Sequence, residues 1–181
     1  RRLDARTEFA RCAETAANRD VRWRAYTTLG TIDYEDHQWT NAARSYAAAL
    51  EIAPPADAVP IVLFRLGVCY ERIGRWNDAP AAYQRIVNEF PQSSVAEAAR
   101  RRLELRASHF AVQCGVFSSE SNAMNETQRL RAEGLQAYAR PELRSGVRVY
   151  VVLVGKYSRY EDAVTDLRRV KGYVESAVLW P

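Results

Sequence analysis

The chain has 181 residues and a formal net charge of +4, and 27% of its residues are charged and 48% hydrophobic. This length suffices for one large or two small domains with their own cores, and the composition is ordinary for globular proteins. No run approaches the roughly 18 apolar residues that a membrane-spanning helix needs. The charge is divided evenly between the two halves, so neither half has the dense basic face typical of nucleic-acid binding.

The three cysteines have no metal-ligand spacing, and their odd number gives no support to a disulfide framework. Cys12, Cys69 and Cys114 each stand where a small apolar residue would serve. We therefore predict that they are buried thiols. No motif in the sequence predicts a metal site or a cofactor.

Residues 1–107 contain an internal repeat with an offset of 37. The segment that begins "AYTTLG" aligns with the one that begins "VLFRLG", and identical residues fall in register: Leu29/Leu66, Gly30/Gly67, Trp39/Trp76, Ala42/Ala79 and Tyr46/Tyr83. The pattern of each unit predicts a helical hairpin. Its glycine allows the second helix to pack closely against the first. One further step of 37 upstream places Ala5 and Phe9 in the second helix of an earlier, partial unit.

This pattern resembles the tetratricopeptide repeat (TPR), a helical hairpin that stacks into a solenoid. The resemblance predicts an all-α unit over 1–107, with a partial repeat, two full repeats and a capping helix from "SSVAEAARRRLELRA". It also implies a concave groove for an unidentified protein partner, lined by Arg24, Thr27, Thr31, Tyr34, Ile61, Phe64, Val68 and Glu71. An equally open interpretation is a scaffold whose exposed apolar residues pack on upstream repeats or on the following domain.

Residues 108–181 contain a second internal repeat, with an offset of 40. "FAVQCGVF" aligns with "YVVLVGKY", and both are followed by a helical pattern and a short strand, "LQAYARPE" or "SAVLW". Apolar residues on one face of each helix are Ala123, Thr127 and Leu130, and Ala163, Leu167 and Val170. Two such halves predict an α+β domain of βαββαβ order, with a four-stranded antiparallel sheet covered by helices on one face, as in RNP-like folds.

This order of strands, glycines and helices resembles the SPOR (sporulation-related) domain. That family occurs in bacterial envelope and cell-division proteins, and it binds peptidoglycan glycan strands from which amidases have removed the stem peptides. The resemblance therefore implies a non-catalytic protein of the periplasm or cell envelope. Because the chain begins without Met inside a helical pattern, we expect a signal or anchor and further repeats upstream.

In the SPOR family the open face of the sheet, opposite the helices, binds the glycan. Strand alternation places Gln113, Val149, Val151 and Leu153 on that face, and it directs Phe110, Val112, Cys114, Tyr150, Val152 and Val154 toward the helices. Gln113 matches the family's glutamine, whose amide can both donate and accept. The candidate glycan-binding residues are Gln113, Gly115, Val116, Val149, Val151 and Arg148.

Three positions depart from the family pattern. The family often has Ser where this chain has Val116, and it tends to have Arg and an aromatic residue where this chain has Val151 and Val149. An arginine would pair with the lactyl carboxylates of the glycan. Neighbouring positions offer substitutes, namely Tyr138, Arg140, Arg144 and Arg148, although alternation places Arg148 on the helix side.

Three other functions are alternatives to glycan binding. Catalysis is disfavoured because the two histidines, His37 and His109, fall in different domains and no nucleophile–base pairing is indicated. RNA recognition is disfavoured because the central strands place no aromatic residue on the open face. The remaining alternative is a SPOR-like domain without glycan binding, whose apolar open face serves as a protein interface.

Overall fold

The computed structural model describes residues 2–52, 57–144 and 146–181. The chain divides into two compact units, of which the first ends at Arg106 and the second runs from Ala107 to Pro181. Among the described residues, no helix combines the length and the apolar character that crossing a bilayer requires.

The first unit is entirely helical, as the repeat predicted. Its helices are α1 (Arg2–Thr15), α2 (Arg19–Glu35), α3 (Trp39–Leu50), α4 (Val59–Arg72), α5 (Ala79–Glu89) and α6 (Ala96–Leu105). Each helix packs against the next one along the chain. Helices α2 and α3 form one hairpin and α4 and α5 the next, while α1 belongs to an incomplete hairpin and α6 follows the second.

The contact within each hairpin explains the repeated glycine and tyrosine. Tyr46 and Tyr83 are buried. A Cβ atom built on Gly30 would lie 2.8 Å from the ring of Tyr46, and one on Gly67 would lie 2.6 Å from the ring of Tyr83. Real Cβ atoms do not approach other atoms so closely, so glycine allows the tyrosine of the second helix to pack directly on the backbone of the first.

The second unit has the predicted βαββαβ order. Its elements are β1 (Phe110–Phe117), α7 (Glu120–Ala132), β2 (Ala137–Arg144), β3 (Val147–Tyr157), α8 (Tyr160–Val170) and β4 (Val178–Trp180). The strands form one antiparallel sheet in the order β2-β3-β1-β4, so β2 and β4 are its edges. Strand β2 ends two residues beyond the predicted "LQAYARPE", at Arg144, and its polar face is correspondingly longer.

The core of the second unit lies between the sheet and the two helices. It contains the residues that alternation directed inward, with the predicted apolar faces of both helices: Val112, Cys114, Val152, Val154, Ala123, Leu130 and Val170, with Tyr150 and Leu167 at its margin. A bulge in β1 between Gln113 and Gly115 interrupts the pairing with β3. Gln113 remains on the open face, and Cys114 remains in the core.

The cysteines follow the prediction in two cases of three. Cys69 and Cys114 are buried free thiols, whereas Cys12 is only partly buried, which the sequence did not predict. Burial raises the pKa of Cys69 to about 12 and that of Cys114 to about 11. Because the thiolate is the reactive form, both buried thiols are inert near neutral pH.

Candidate functional site

The open face of the sheet carries polar side chains from β2 above apolar ones from the central strands. In the β2–β3 register, Tyr138 pairs with Leu153, Arg140 with Val151, and Glu142 with Val149. Residues paired in this way project from the same face of a sheet. Strand β2 therefore supplies an aromatic ring, a guanidinium and a carboxylate to the face on which Gln113 lies.

A buried carboxylate, Glu142, organises this face. Its side chain is only 6% exposed and lies 3.6 Å from Arg140 and 3.1 Å from Arg144. The indole Nε1 of Trp180 donates to Glu142 Oε1 at 3.0 Å. Because Trp180 belongs to β4 and Glu142 to β2, this bond joins the two edge strands across the face of the central ones.

Gln113, the family-matched residue, is hydrogen-bonded within the same group. Arg144 Nη2 donates to Gln113 Oε1 at 3.0 Å while it also contacts Glu142. Arg140 in turn lies over the ring of Trp180, with Cζ 4.7 Å from the ring centroid. The glutamine oxygen is thus occupied, and no residue in the described ranges accepts from its amide N–H groups, which leaves them for a ligand.

An imidazole extends the aromatic part of the face. His109 Nε2 lies 2.8 Å from the hydroxyl of Tyr138, and the His109 ring lies 5.7 Å from that of Trp180. Lys156 Nζ lies over the ring of Tyr138 at 5.1 Å. Burial lowers the pKa of His109, and the charges of Lys156 and Arg140 act in the same direction. We call the group of His109, Gln113, Tyr138, Arg140, Glu142, Arg144 and Trp180 the open-face cluster.

The structure places the sequence-predicted glycan candidates in different surroundings. Gln113 is partly exposed on the open face, Val116 is 40% exposed and pairs with Val151, and Val149 is partly buried beside Glu142. Val151 lies on this face as predicted, but it is fully buried, as is Leu153. It therefore offers no surface to a ligand.

Two further candidates have other surroundings. Gly115 lies where a Cβ atom would be 2.7 Å from the ring of Phe117, so its lack of a side chain serves packing. Arg148 lines an open cavity of about 390 Å³ on the helix side, together with residues of α7 such as Met124 and Gln128. The structure thus places Arg148 on the face opposite to Gln113, in agreement with strand alternation.

The predicted groove residues of the first unit lie on α2 and α4. Arg24 is exposed, Ile61 is 44% exposed, and four others are partly exposed: Thr27, Thr31, Tyr34 and Phe64. Val68 and Glu71 are buried. These two contribute to the interior of the unit rather than to an accessible groove surface.

Glu71 is held by an arginine of the next helix. Arg102 Nη1 of α6 lies 3.1 Å from Glu71 Oε2. Burial raises the pKa of Glu71, whereas the charge of Arg102 opposes that shift. A second partly buried ion pair, between Arg6 of α1 and Asp33 of α2 at 2.7 Å, joins the incomplete hairpin to the first full one.

Sequence reasoning missed Glu142 and Trp180, and it underestimated the aromatic content of the open face. The central strands indeed place no aromatic residue there, but the edge strands supply Tyr138 and Trp180. A signal was present in β2, where Tyr138, Arg140, Glu142 and Arg144 alternate with period two. Within the described ranges, no group of three or more potential ligands has metal-site geometry.

These features define a protein with two binding parts, a stack of helical hairpins and a βαββαβ domain with a polar, cationic sheet face. Comparison with family models identifies a SPOR domain at residues 106–180 and a tetratricopeptide repeat at residues 62–93. The chain thus carries a TPR repeat followed by a SPOR domain, as its sequence predicted. No curated protein and no solved structure matches it significantly.

The two families define the general role of the chain. SPOR domains bind peptidoglycan, and TPR repeats mediate protein interactions. The chain is accordingly a cell-envelope protein that combines a peptidoglycan-binding family domain with a protein-interaction scaffold. Neither family is catalytic.

Proposed function

We propose that the SPOR domain of this chain binds denuded glycan strands through the open-face cluster, while the helical repeats hold a protein partner. The observation that carries this proposal is the pairing of Gln113 with Arg144 beside Arg140. This pairing brings guanidinium groups to Gln113, which matches the glutamine of SPOR domains. At the position where those domains tend to have an arginine, this chain has Val151. The proposed site of action is the periplasmic cell wall.

The charge of the cluster suits the chemistry of a denuded strand. Removal of the stem peptide leaves a free lactyl carboxylate, whereas in an intact strand that carboxyl group is part of an uncharged amide. Guanidinium groups form short, charge-assisted hydrogen bonds with carboxylates. Arg144, whose side chain is 43% exposed, is the more accessible of the two arginines beside Glu142. A free carboxylate would therefore favour denuded strands over intact ones.

The neutral part of the glycan has partners on the same face. The amide N–H groups of Gln113 can donate to the N-acetyl carbonyl or to a sugar hydroxyl, and the hydroxyl of Tyr138, which already shares a hydrogen bond with His109, can accept one from a sugar hydroxyl. Trp180 is nearly fully buried and carries Arg140 on its ring, so it supports the cluster rather than stacking on a sugar. The proposed recognition thus depends on polar contacts.

The alternative of a protein interface on an apolar open face has less support. That reading requires a contiguous exposed apolar patch on the central strands, yet Val151 and Leu153 are fully buried. Of the apolar residues on this face, Val116, Val147 and Val178 are the exposed ones, at 40%, 61% and 49%. Strand β2 adds polar and mainly cationic side chains to the same face, which favours an anionic sugar chain.

Cosedimentation of the full chain with cell-wall sacculi tests the proposal. We expect retention on amidase-treated sacculi to exceed retention on untreated ones. Arg144→Gln and Gln113→Ala should each weaken it about five- to tenfold, equivalent to the loss of about 1–1.4 kcal/mol from one solvent-accessible hydrogen bond. Arg148→Gln is the matched control, because it removes the same charge from the opposite face.

Two outcomes would contradict the proposal. Equal retention on treated and untreated sacculi would show that the free carboxylate is not recognised. Equal losses from Arg144→Gln and Arg148→Gln would show that retention depends on overall charge rather than on the open-face cluster. Circular dichroism of each variant establishes that the fold is retained.

A further inference from the structure

The internal repeat of the helical unit places two equivalent arginines in different surroundings. Arg65 in α4 and Arg102 in α6 are separated by the repeat offset of 37 residues. Arg102 Nη1 pairs with the buried carboxylate of Glu71 at 3.1 Å. At the position equivalent to Glu71 in the preceding repeat, the chain has Tyr34.

Arg65 therefore lacks the carboxylate that its equivalent has. Its Nη1 donates to the hydroxyl of Thr31 at 2.8 Å and to that of Tyr46 at 3.4 Å. Its Cζ lies 5.8 Å from the ring centroid of Tyr34. Across residues 2–52, 57–144 and 146–181, no acidic side chain forms an ion pair with this partly buried guanidinium.

The surroundings of Tyr34 are cationic. Burial raises the pKa of Tyr34, while Arg72, Arg65 and Arg102 oppose the shift and so lie within electrostatic range of its hydroxyl. Glu71 is already paired with Arg102. Of the two repeat-equivalent arginines, Arg102 thus has a carboxylate partner, whereas Arg65 is held by two hydroxyl groups.

We propose that Arg65, beside Tyr34 and Thr31, forms a subsite for a carboxylate, and that its occupant is an Asp or Glu side chain of an acidic segment of the protein partner. The inference rests on the proposed scaffold function and specifies the chemistry of its partner. The hydroxyls of Thr31 and Tyr46 hold the guanidinium in place, which lowers the conformational cost of binding. The bound carboxylate would take the role that Glu71 takes toward Arg102.

A stability cycle tests whether the subsite accepts a carboxylate. Tyr34→Glu places one there from within the chain, and Tyr34→Gln is the uncharged control of the same size. Both variants lose the ring contacts of Tyr34 with Trp39 and Tyr46. The difference between their melting temperatures therefore measures the effect of the carboxylate charge. We expect Tyr34→Glu to melt about 2–4 °C above Tyr34→Gln at pH 7, and the difference to vanish in an Arg65→Gln background.

Peptide binding tests recognition in trans, with the full chain and a hexaglutamate peptide blocked at both termini. Blocking the termini makes side-chain carboxylates the sole anionic groups. We expect anisotropy titration at low salt to show saturable binding, which Arg65→Gln weakens at least fivefold. Arg44→Gln, an equal charge change at an exposed residue of α3, should weaken it less than twofold. Tyr34→Glu should weaken it as Arg65→Gln does, because the site is then filled.

The outcomes separate this inference from the scaffold function. No binding of hexaglutamate, or equal weakening by Arg65→Gln and Arg44→Gln, would overturn the carboxylate subsite. If the helical unit captures a protein partner and Arg65→Gln does not change that capture, the carboxylate subsite is overturned but the scaffold function stands. Two results together support the subsite. Tyr34→Glu melts above Tyr34→Gln in the native background but not in the Arg65→Gln background, and Arg65→Gln weakens hexaglutamate binding more than Arg44→Gln does.

Discussion

Glu142→Gln is the sharpest perturbation of the SPOR domain, because it removes the charge of a nearly buried carboxylate and preserves its size. The amide oxygen still accepts from Trp180, but the ion pairs with Arg140 and Arg144 become weaker charge–dipole contacts, because the guanidinium groups stay charged. A hydrogen bond with a charged partner contributes about 1.5–3 kcal/mol, and removal of the carboxylate charge loses part of that. Both arginines remain partly exposed, so solvent screening reduces the loss.

We expect a net destabilisation of the second unit by about 1–2 kcal/mol, which for a domain of this size lowers its Tm by roughly 5–10 °C. Differential scanning calorimetry of the full chain measures it. Glu161→Gln is the matched control, since Glu161 is 51% exposed and lies 3.9 Å from Arg159, and its effect should stay below about 0.5 kcal/mol. If both variants melt at the same temperature, Glu142 does not organise the face.

Two further predictions concern packing and pH. Gly67→Ala should destabilise the helical unit by about 1–3 kcal/mol, because its Cβ would lie 2.6 Å from the ring of Tyr83. Helix propensity alone predicts stabilisation by about 1 kcal/mol, so the sign measured by urea denaturation decides between them. Burial lowers the pKa of His109 below its usual 6.5, so the unfolded chain takes up the proton first as pH falls. The Tm of the second unit should therefore fall between pH 7.5 and 5.5, and less so in His109→Gln; an identical fall in both would refute the assignment.

The fold was predictable because both halves repeat themselves. Two segments that align at an offset of 37 share a period, an equivalent glycine and an equivalent tyrosine. Because three signals agree, the prediction of helical hairpins does not depend on any single residue. In the second half, alternation in "FAVQCGVF" and "YVVLVGKY" separates the two faces of the sheet, and the β1 bulge does not disturb that separation at Gln113. Local periodicity carries this information because each face is buried or exposed along whole elements.

The exposure of individual side chains on the open face was not predictable in the same way. Alternation assigns Val151 to a face, but whether that face is covered depends on residues far away in sequence. Here Trp180 of β4 reaches Glu142 of β2 across both central strands. Such a contact depends on the twist of the sheet and on rotamers, neither of which has a local signature. Val151, which alternation assigns to the open face, is therefore buried.

The relation between Arg140 and Val151 shows why a departure from a family pattern need not remove a function. The two residues are eleven apart in sequence, yet they are direct cross-strand neighbours. Paired Cβ atoms lie about 5 Å apart, which is less than the length of an arginine side chain. A guanidinium from β2 can therefore serve the same region of the face as one from β3, provided that a group such as Glu142 directs it inward. Val151 can then be part of the covered interior, and the proposed glycan contact would depend on the position of a charge on the face rather than on the identity of the residue at one place in the chain.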